Sequence, residues 1–65
     1  MDEVETYARI LKVKRHLLNN MATPGNSVMV YELEKVLHNM ADSYEDRTDK
    51  CLLSLALNHP ALKSA

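Results

Sequence analysis

The stretch Ser27–Met40, SVMVYELEKVLHNM, is the strongest constraint on what this chain can fold into. At 100° per residue, Met29, Val30, Leu33, Val36, Leu37 and Met40 fall within an arc of roughly 120°. That is the i, i+3, i+4, i+7 spacing of an amphipathic helix and not the alternation of a strand. Glu32, Glu34, Lys35 and Asn39 lie mostly outside the arc. Thr23-Pro24-Gly25 just upstream is a turn signal, because Pro pre-sets φ and Gly allows φ > 0. Asn26 or Ser27 is placed to cap the helix by accepting a bond from an orphan backbone N–H. The spacing predicts a helix over 27–41 with Leu33 and Leu37 facing inward. Tyr31 leaves the main stripe.

The flanking segments read as packing partners of this helix. A first helix is predicted over 2–21. Asp2, Glu3 and Glu5 sit at its start and Lys12, Lys14 and Arg15 toward its end, as the macrodipole favours. Tyr7, Ile10, Leu11, Leu17, Leu18 and Met21 share one wide arc, with Val4 and Val13 at its margins. An arc of about half the circumference exceeds what one packing partner covers. Either this helix sits between two helices of its own chain, or it also meets a second chain. Lys14 falls inside the arc, where its stem can snorkel to the edge. Asp42-x-x-Glu45 and Ser43-x-x-Asp46 are overlapping cap-like patterns. They predict a third helix over 43–58, ended by Asn58-His59-Pro60 because the residue before Pro avoids the α region. Residues 59–65 are left as a tail from which Leu62 folds back on the core. The expected fold is all-α: one domain over 1–65, a helical hairpin plus a third helix.

The core available to such a fold is thin. The 65 residues contain no Trp, no Phe and three Tyr. Surface scaling gives about 10,700 Å² unfolded and about 4,200 Å² folded. With about 60% of the difference apolar, burial contributes roughly 95–100 kcal/mol. Ordering the chain at ~1.5 kcal/mol per residue costs nearly the same. A single Cys makes no internal disulfide, so association is the remaining common route to stability. The wide arc of the first helix and the all-round apolarity of Cys51–Leu57 point the same way, to a homodimer.

Several function classes lack their signatures. The net charge of −1 gives no general drive toward nucleic acid or anionic membrane. No run of 18 apolar residues is present, so no membrane span is expected. Met1-Asp2-Glu3 lacks the basic and apolar regions of a secretory signal, and a cytoplasmic location is expected. His16, His38, His59 and Cys51 are scattered without ligand spacing, so neither metal nor cofactor is expected. Glu32 and Glu34 point to different sides of their helix and make no acid–base pair. Glu45, Asp46 and Asp49 read as charges at a helix start. Cys51, in a leucine-rich run, reads as an inert packed thiol. The chain is expected not to be an enzyme.

Two surfaces remain. Arg9, Lys12, Arg15 and His16 form the one basic patch. It is either a phosphate-contacting face or a solvated face helped by the i,i+4 pair Glu5–Arg9. A helix-turn-helix reading is disfavoured, since its recognition helix would begin Tyr44-Glu45-Asp46, acidic where phosphates should lie. The other surface centres on Tyr31, bordered by Val28, Glu32 and Lys35. It is either a partner-binding patch with an aromatic anchor or a ring packed on the first helix or across a dimer.

Residues 11–62 carry a first apolar helix, a polar turn ending in Asn26-Ser27, and the amphipathic Met29-Val30-Tyr31-Glu32-Leu33-Glu34-Lys35-Val36-Leu37. An acidic link Asp42-Ser43-Tyr44-Glu45-Asp46, a leucine-rich last helix and the closing His59-Pro60-Ala61-Leu62 follow. In these features the chain resembles the small bacterial connector proteins of the AriR type and the biofilm-dependent modulation protein. The resemblance implies a helical homodimer that regulates signalling or transcription by binding another protein, with no catalytic residues to carry over. The alternatives are a nucleic-acid-binding regulator using Arg9, Lys12, Arg15 and His16, and a phage- or plasmid-type inhibitor of a host enzyme.

Overall fold

A computed structural model describes residues 1–63; Ser64 and Ala65 of the expected tail lie outside the described residues. Its elements are α1 (Glu3–Leu18), α2 (Asn26–Thr48), α3 (Leu52–Leu57) and α4 (Pro60–Lys63). There is no strand among the described residues, and the fold is all-α.

The first helix starts where its charges predict. Asp2 is its N-cap, and its Oδ1 accepts from the Glu5 N–H at 2.7 Å. The helix stops at Leu18, short of the expected Met21. Asparagines end it by taking over backbone groups: Asn20 Nδ2 donates to the His16 carbonyl at 2.8 Å. Asn26 Nδ2 then donates to the Asn20 carbonyl, also at 2.8 Å, and ties the two ends of the turn together. Asn26 is thus a buried staple and the first residue of α2, not its cap. The N-cap is Gly25, at φ 87° in the left-handed region, with no side-chain cap bond.

The second helix corrects the sequence reading most. The break expected between 41 and 43 is absent, and α2 runs unbroken to Thr48. Cap-like spacing at Asp42 and Ser43 acts only where the backbone has already left the helix. Here both side chains are exposed and neither Gly nor Pro interrupts the chain. The inward stripe carries the helix on: Val30, Leu37 and Tyr44 recur every seventh residue, with Leu33, Met40 and Ala41 between them. Met29 and Val36, expected in the core, lie at its margin and are exposed. Glu45 and Asp46 consequently belong to a helix end, not a start. The stop is made by Asp49, in the left-handed region at φ 60°, whose N–H donates to the Glu45 carbonyl at 3.0 Å. Arg47 in the last turn suits the negative end of the dipole and pairs with Glu3 across to α1.

What remains of the expected third helix is six residues long. Leu52 and Ala56, one turn apart, are both fully buried. After Asn58 the tail does not trail. Pro60 occupies the first position of α4, where its missing N–H costs nothing, and His59 Nδ1 accepts from the Ala61 N–H at 3.0 Å. Leu62 returns to the core as expected.

Packing makes α1, not α2, the hub. It contacts α2, α3 and α4, whereas α2 meets α1 and α3. The wide apolar arc of α1 is therefore used largely within the chain. Ala8 is fully buried beside Tyr7, and both join Leu37, Leu52, Ala56 and Leu62 in one cluster. Val4, Ile10, Leu11, Met40, Ala41, Tyr44 and Ala61 pack around it.

Two outcomes follow for stability. Leu37→Ala and Leu52→Ala remove buried side chains and should each cost about 2–5 kcal/mol. Leu33, only half-buried, should cost clearly less on the same change. Urea melts followed by circular dichroism check this, and an equal loss at Leu33 would contradict the facing of α2. The Tyr7 hydroxyl is held above the ordinary tyrosine value of 10.0 by burial first, then by the nearby Cys51 and Glu45. A raised folded value favours the neutral form, so this contribution is complete below pH 10 and is lost as pH rises through the folded value. Tyr7→Phe should flatten that alkaline loss in a pH series of melts.

Candidate functional site

The outward face of α2 holds the expected partner-binding residues together. Val28, Tyr31, Glu32 and Lys35 follow i, i+3, i+4, i+7 spacing on the side turned away from α1. Val28 and Tyr31 are 63% and 59% exposed, so the tyrosine does not pack on the first helix. Lys35 Nζ stands 4.5 Å from the Tyr31 ring centroid and 3.5 Å from Glu32 Oε1. Each contact is worth at most about 1 kcal/mol at such exposure. Their joint effect is geometric: the ammonium lies between ring and carboxylate and limits the freedom of all three side chains. The result is an aromatic–aliphatic spot with a rim of both charges, set on a rigid helix.

The basic residues are less concentrated than their sequence spacing implies. Arg9, Lys12 and His16 share one stripe of α1, and Arg15 stands to one side of it. Arg9 Nε donates to Glu5 Oε2 at 2.9 Å. Arg15 and His16 are exposed, while Lys12 is half-buried. Glu5 within the face reduces the potential that phosphates would meet.

A cleft of about 340 Å³ opens between α1, α2 and α3, lined by Tyr7, Leu11, Lys14, Glu34, Leu37, His38 and Leu53. Lys14 behaves as its position predicts: its stem is half-buried and its Nζ reaches Glu34 Oε1 at 4.0 Å. On the opposite side of the hairpin a shallower, almost wholly apolar groove of about 280 Å³ is lined by Met1, Thr6, Arg9, Ile10, Val13 and Leu33. The sequence pattern sets Leu33 inward and Val13 at the margin of its arc; in the structure both border an open groove. The signal was available, since Val13 lay at the margin of its arc.

Cys51 also departs from expectation. It is an exposed thiol at the N-cap of α3, not a packed one. Hydrogen bonds from Ser54, side chain first and backbone second, hold its thiol below the ordinary value. Among the described residues no group of three or more His, Cys, Asp or Glu is arranged to hold a metal ion. No helix among them is long and apolar enough to cross a membrane.

Comparison with known protein families, with curated proteins and with solved structures finds no match. The geometry defines a class by itself: a small all-helical chain whose distinctive features are surfaces.

The thiol assignment is directly measurable. Cys51 should be alkylated by iodoacetamide in the native protein, and Ser54→Ala should slow the reaction near pH 7 by raising the thiol pKa. Native protection of Cys51 would contradict its exposure.

Proposed function

We propose that this chain is a non-enzymatic regulatory protein that acts by binding another protein, as a homodimer, in the cytoplasm. The observation that carries the reading is the exposed Tyr31 with Val28, Glu32 and Lys35 on the outer face of the longest helix. Aromatic residues ringed by polar and charged groups are the usual anchors of protein interfaces. The ordering imposed by the Lys35 contacts lowers the entropy lost on docking. The resemblance of residues 11–62 to AriR-type connectors is in keeping with this role, in regulation of signalling or transcription. A partner that is a host enzyme, as for a phage- or plasmid-type inhibitor, would use the same patch.

The basic face of α1 supports the nucleic-acid reading less well, because Glu5 stands within it and pairs with Arg9. The two readings separate by salt: phosphate contacts make affinity fall steeply between 50 and 200 mM salt.

Affinity capture from the source cell, with and without nuclease, tests the proposal. Tyr31→Ala should abolish capture of the protein partner while circular dichroism and sedimentation stay as in the parent. Capture that survives in a well-folded Tyr31→Ala variant would remove the patch from the function. Capture that nuclease abolishes would replace protein binding with nucleic-acid binding.

A further inference from the structure

Tyr7 brings the only side-chain polar group into the buried cluster it forms with Ala8, Leu37, Leu52, Ala56 and Leu62. The residue is 6% exposed, yet its hydroxyl makes no hydrogen bond to any of the described residues. Tyrosine hydroxyls at such burial ordinarily have a partner. Among the described residues no fully buried side-chain oxygen or nitrogen is without one. The Tyr7 hydroxyl therefore reaches the surface, and the opening that Tyr7 lines is the cleft between α1, α2 and α3.

The walls of this cleft divide by chemistry. Leu11, Leu37 and Leu53 supply apolar surface from three helices, and Lys14, Glu34 and His38 supply a polar rim. Lys14 Nζ and Glu34 Oε1 face each other at 4.0 Å, so the base and the acid of the rim answer one another. The volume of about 340 Å³ lies within the range of small-molecule sites. It is about twice that of an apolar cavity that takes up benzene.

We infer that this cleft binds a small uncharged molecule, with an apolar ring or branched body and one hydrogen-bonding group that meets the Tyr7 hydroxyl. None of the four residues of the Tyr31 patch lines the cleft, so the site stands independently of that patch.

The charges around the cleft select an uncharged ligand. A carboxylate set against Lys14 would displace Glu34, and deeper in it would meet the negative potential of Glu45, which acts on Tyr7. An ammonium set against Glu34 would displace Lys14, whose side chain is only 25% exposed. A neutral ligand leaves the pair intact. The hydroxyl suits such a ligand. Burial first, then Cys51 and Glu45, hold its pKa above the ordinary 10.0, so at neutral pH it both donates and accepts. Water can satisfy the hydroxyl as well as a ligand can. An apolar body, however, also removes Leu11 and Leu53 from solvent, which water does not. Leu53, 42% exposed at the edge of the cleft, would be covered by such an occupant.

Titration of the full chain with p-cresol, followed by the amide resonances in NMR, tests the site. Toluene, p-toluate and p-methylbenzylammonium serve as the comparison ligands. Saturable shifts should centre on Leu11, Leu37 and Leu53, with a dissociation constant in the millimolar range for so small a probe. Tyr7→Phe keeps the ring and should keep the helical signal in circular dichroism. It should weaken p-cresol about tenfold, the loss of one hydrogen bond, and leave toluene unchanged. Leu53→Ser, at a half-exposed position, should keep the fold and weaken p-cresol and toluene alike. Both ions should bind more weakly than p-cresol. Absence of saturable shifts, undiminished p-cresol binding by Tyr7→Phe, tighter binding of either ion, or shifts centred on Ile10, Val13 and Leu33 would each overturn the inference.

Discussion

The packing of α1 on two flanks at once is what the rest of the structure depends on. Tyr7 and Ala8, adjacent in sequence, contribute to one cluster that joins Leu37 of α2 to Leu52, Ala56 and Leu62 of α3 and α4. Ala8 presents no bulk, which allows backbones to approach closely, and it is fully buried. Two alanines, Ala8 and Ala56, are fully buried in this small core. Interdigitation of small and large side chains thus compensates for the missing Phe and Trp. Without this contact α3 and α4, at six and four residues, are far below the length at which helices persist alone.

The long second helix is the counterpart of that economy. By continuing to Thr48 it brings Arg47 to Glu3 and closes the end of the hairpin opposite the Asn20–Asn26 turn. Both ends of the α1–α2 pair are then tied by side chains, one by an exposed ion pair and one by a buried amide. The buried amide is the stronger constraint, because an unpaired Asn26 side chain would cost the desolvation of its polar atoms. Net exposed area reflects the thin core: 4505 Å² against the roughly 4,200 Å² typical of a chain this size.

This arrangement distributes surface in a way that separates possible contacts. The outward face of α2 holds Tyr31 between charges. The other side of the hairpin carries the largely apolar groove bordered by Ile10, Val13 and Leu33. Leucines 53, 55 and 57 of α3 are exposed because a six-residue helix has only two inward positions, taken by Leu52 and Ala56. The Tyr31 face and the groove lie on different arcs of α2.

Periodicity by itself determined that the chain is helical, that a turn falls around Pro24-Gly25, that Leu37 faces inward and that Tyr31 does not. These follow from local rules: 3.6-residue repetition, a proline–glycine pair, and the angular distance of Tyr31 from the stripe. The same local rules misplaced the second break, because Asp42 and Ser43 have capping chemistry whether or not a helix end is present. Only the continuation of burial through Ala41 and Tyr44 against α1 decided that the helix runs on. Likewise the arc of α1 was legible as too wide for one partner, but which helices would fill it was not. Angular width reports how much surface must be buried, whereas the choice among α2, α3, α4 or a second chain depends on contacts between residues far apart in sequence. Cys51 shows the same limit: its leucine-rich neighbourhood reads as core, yet the turn after Asp49 rotates Leu52 inward and leaves the thiol outside.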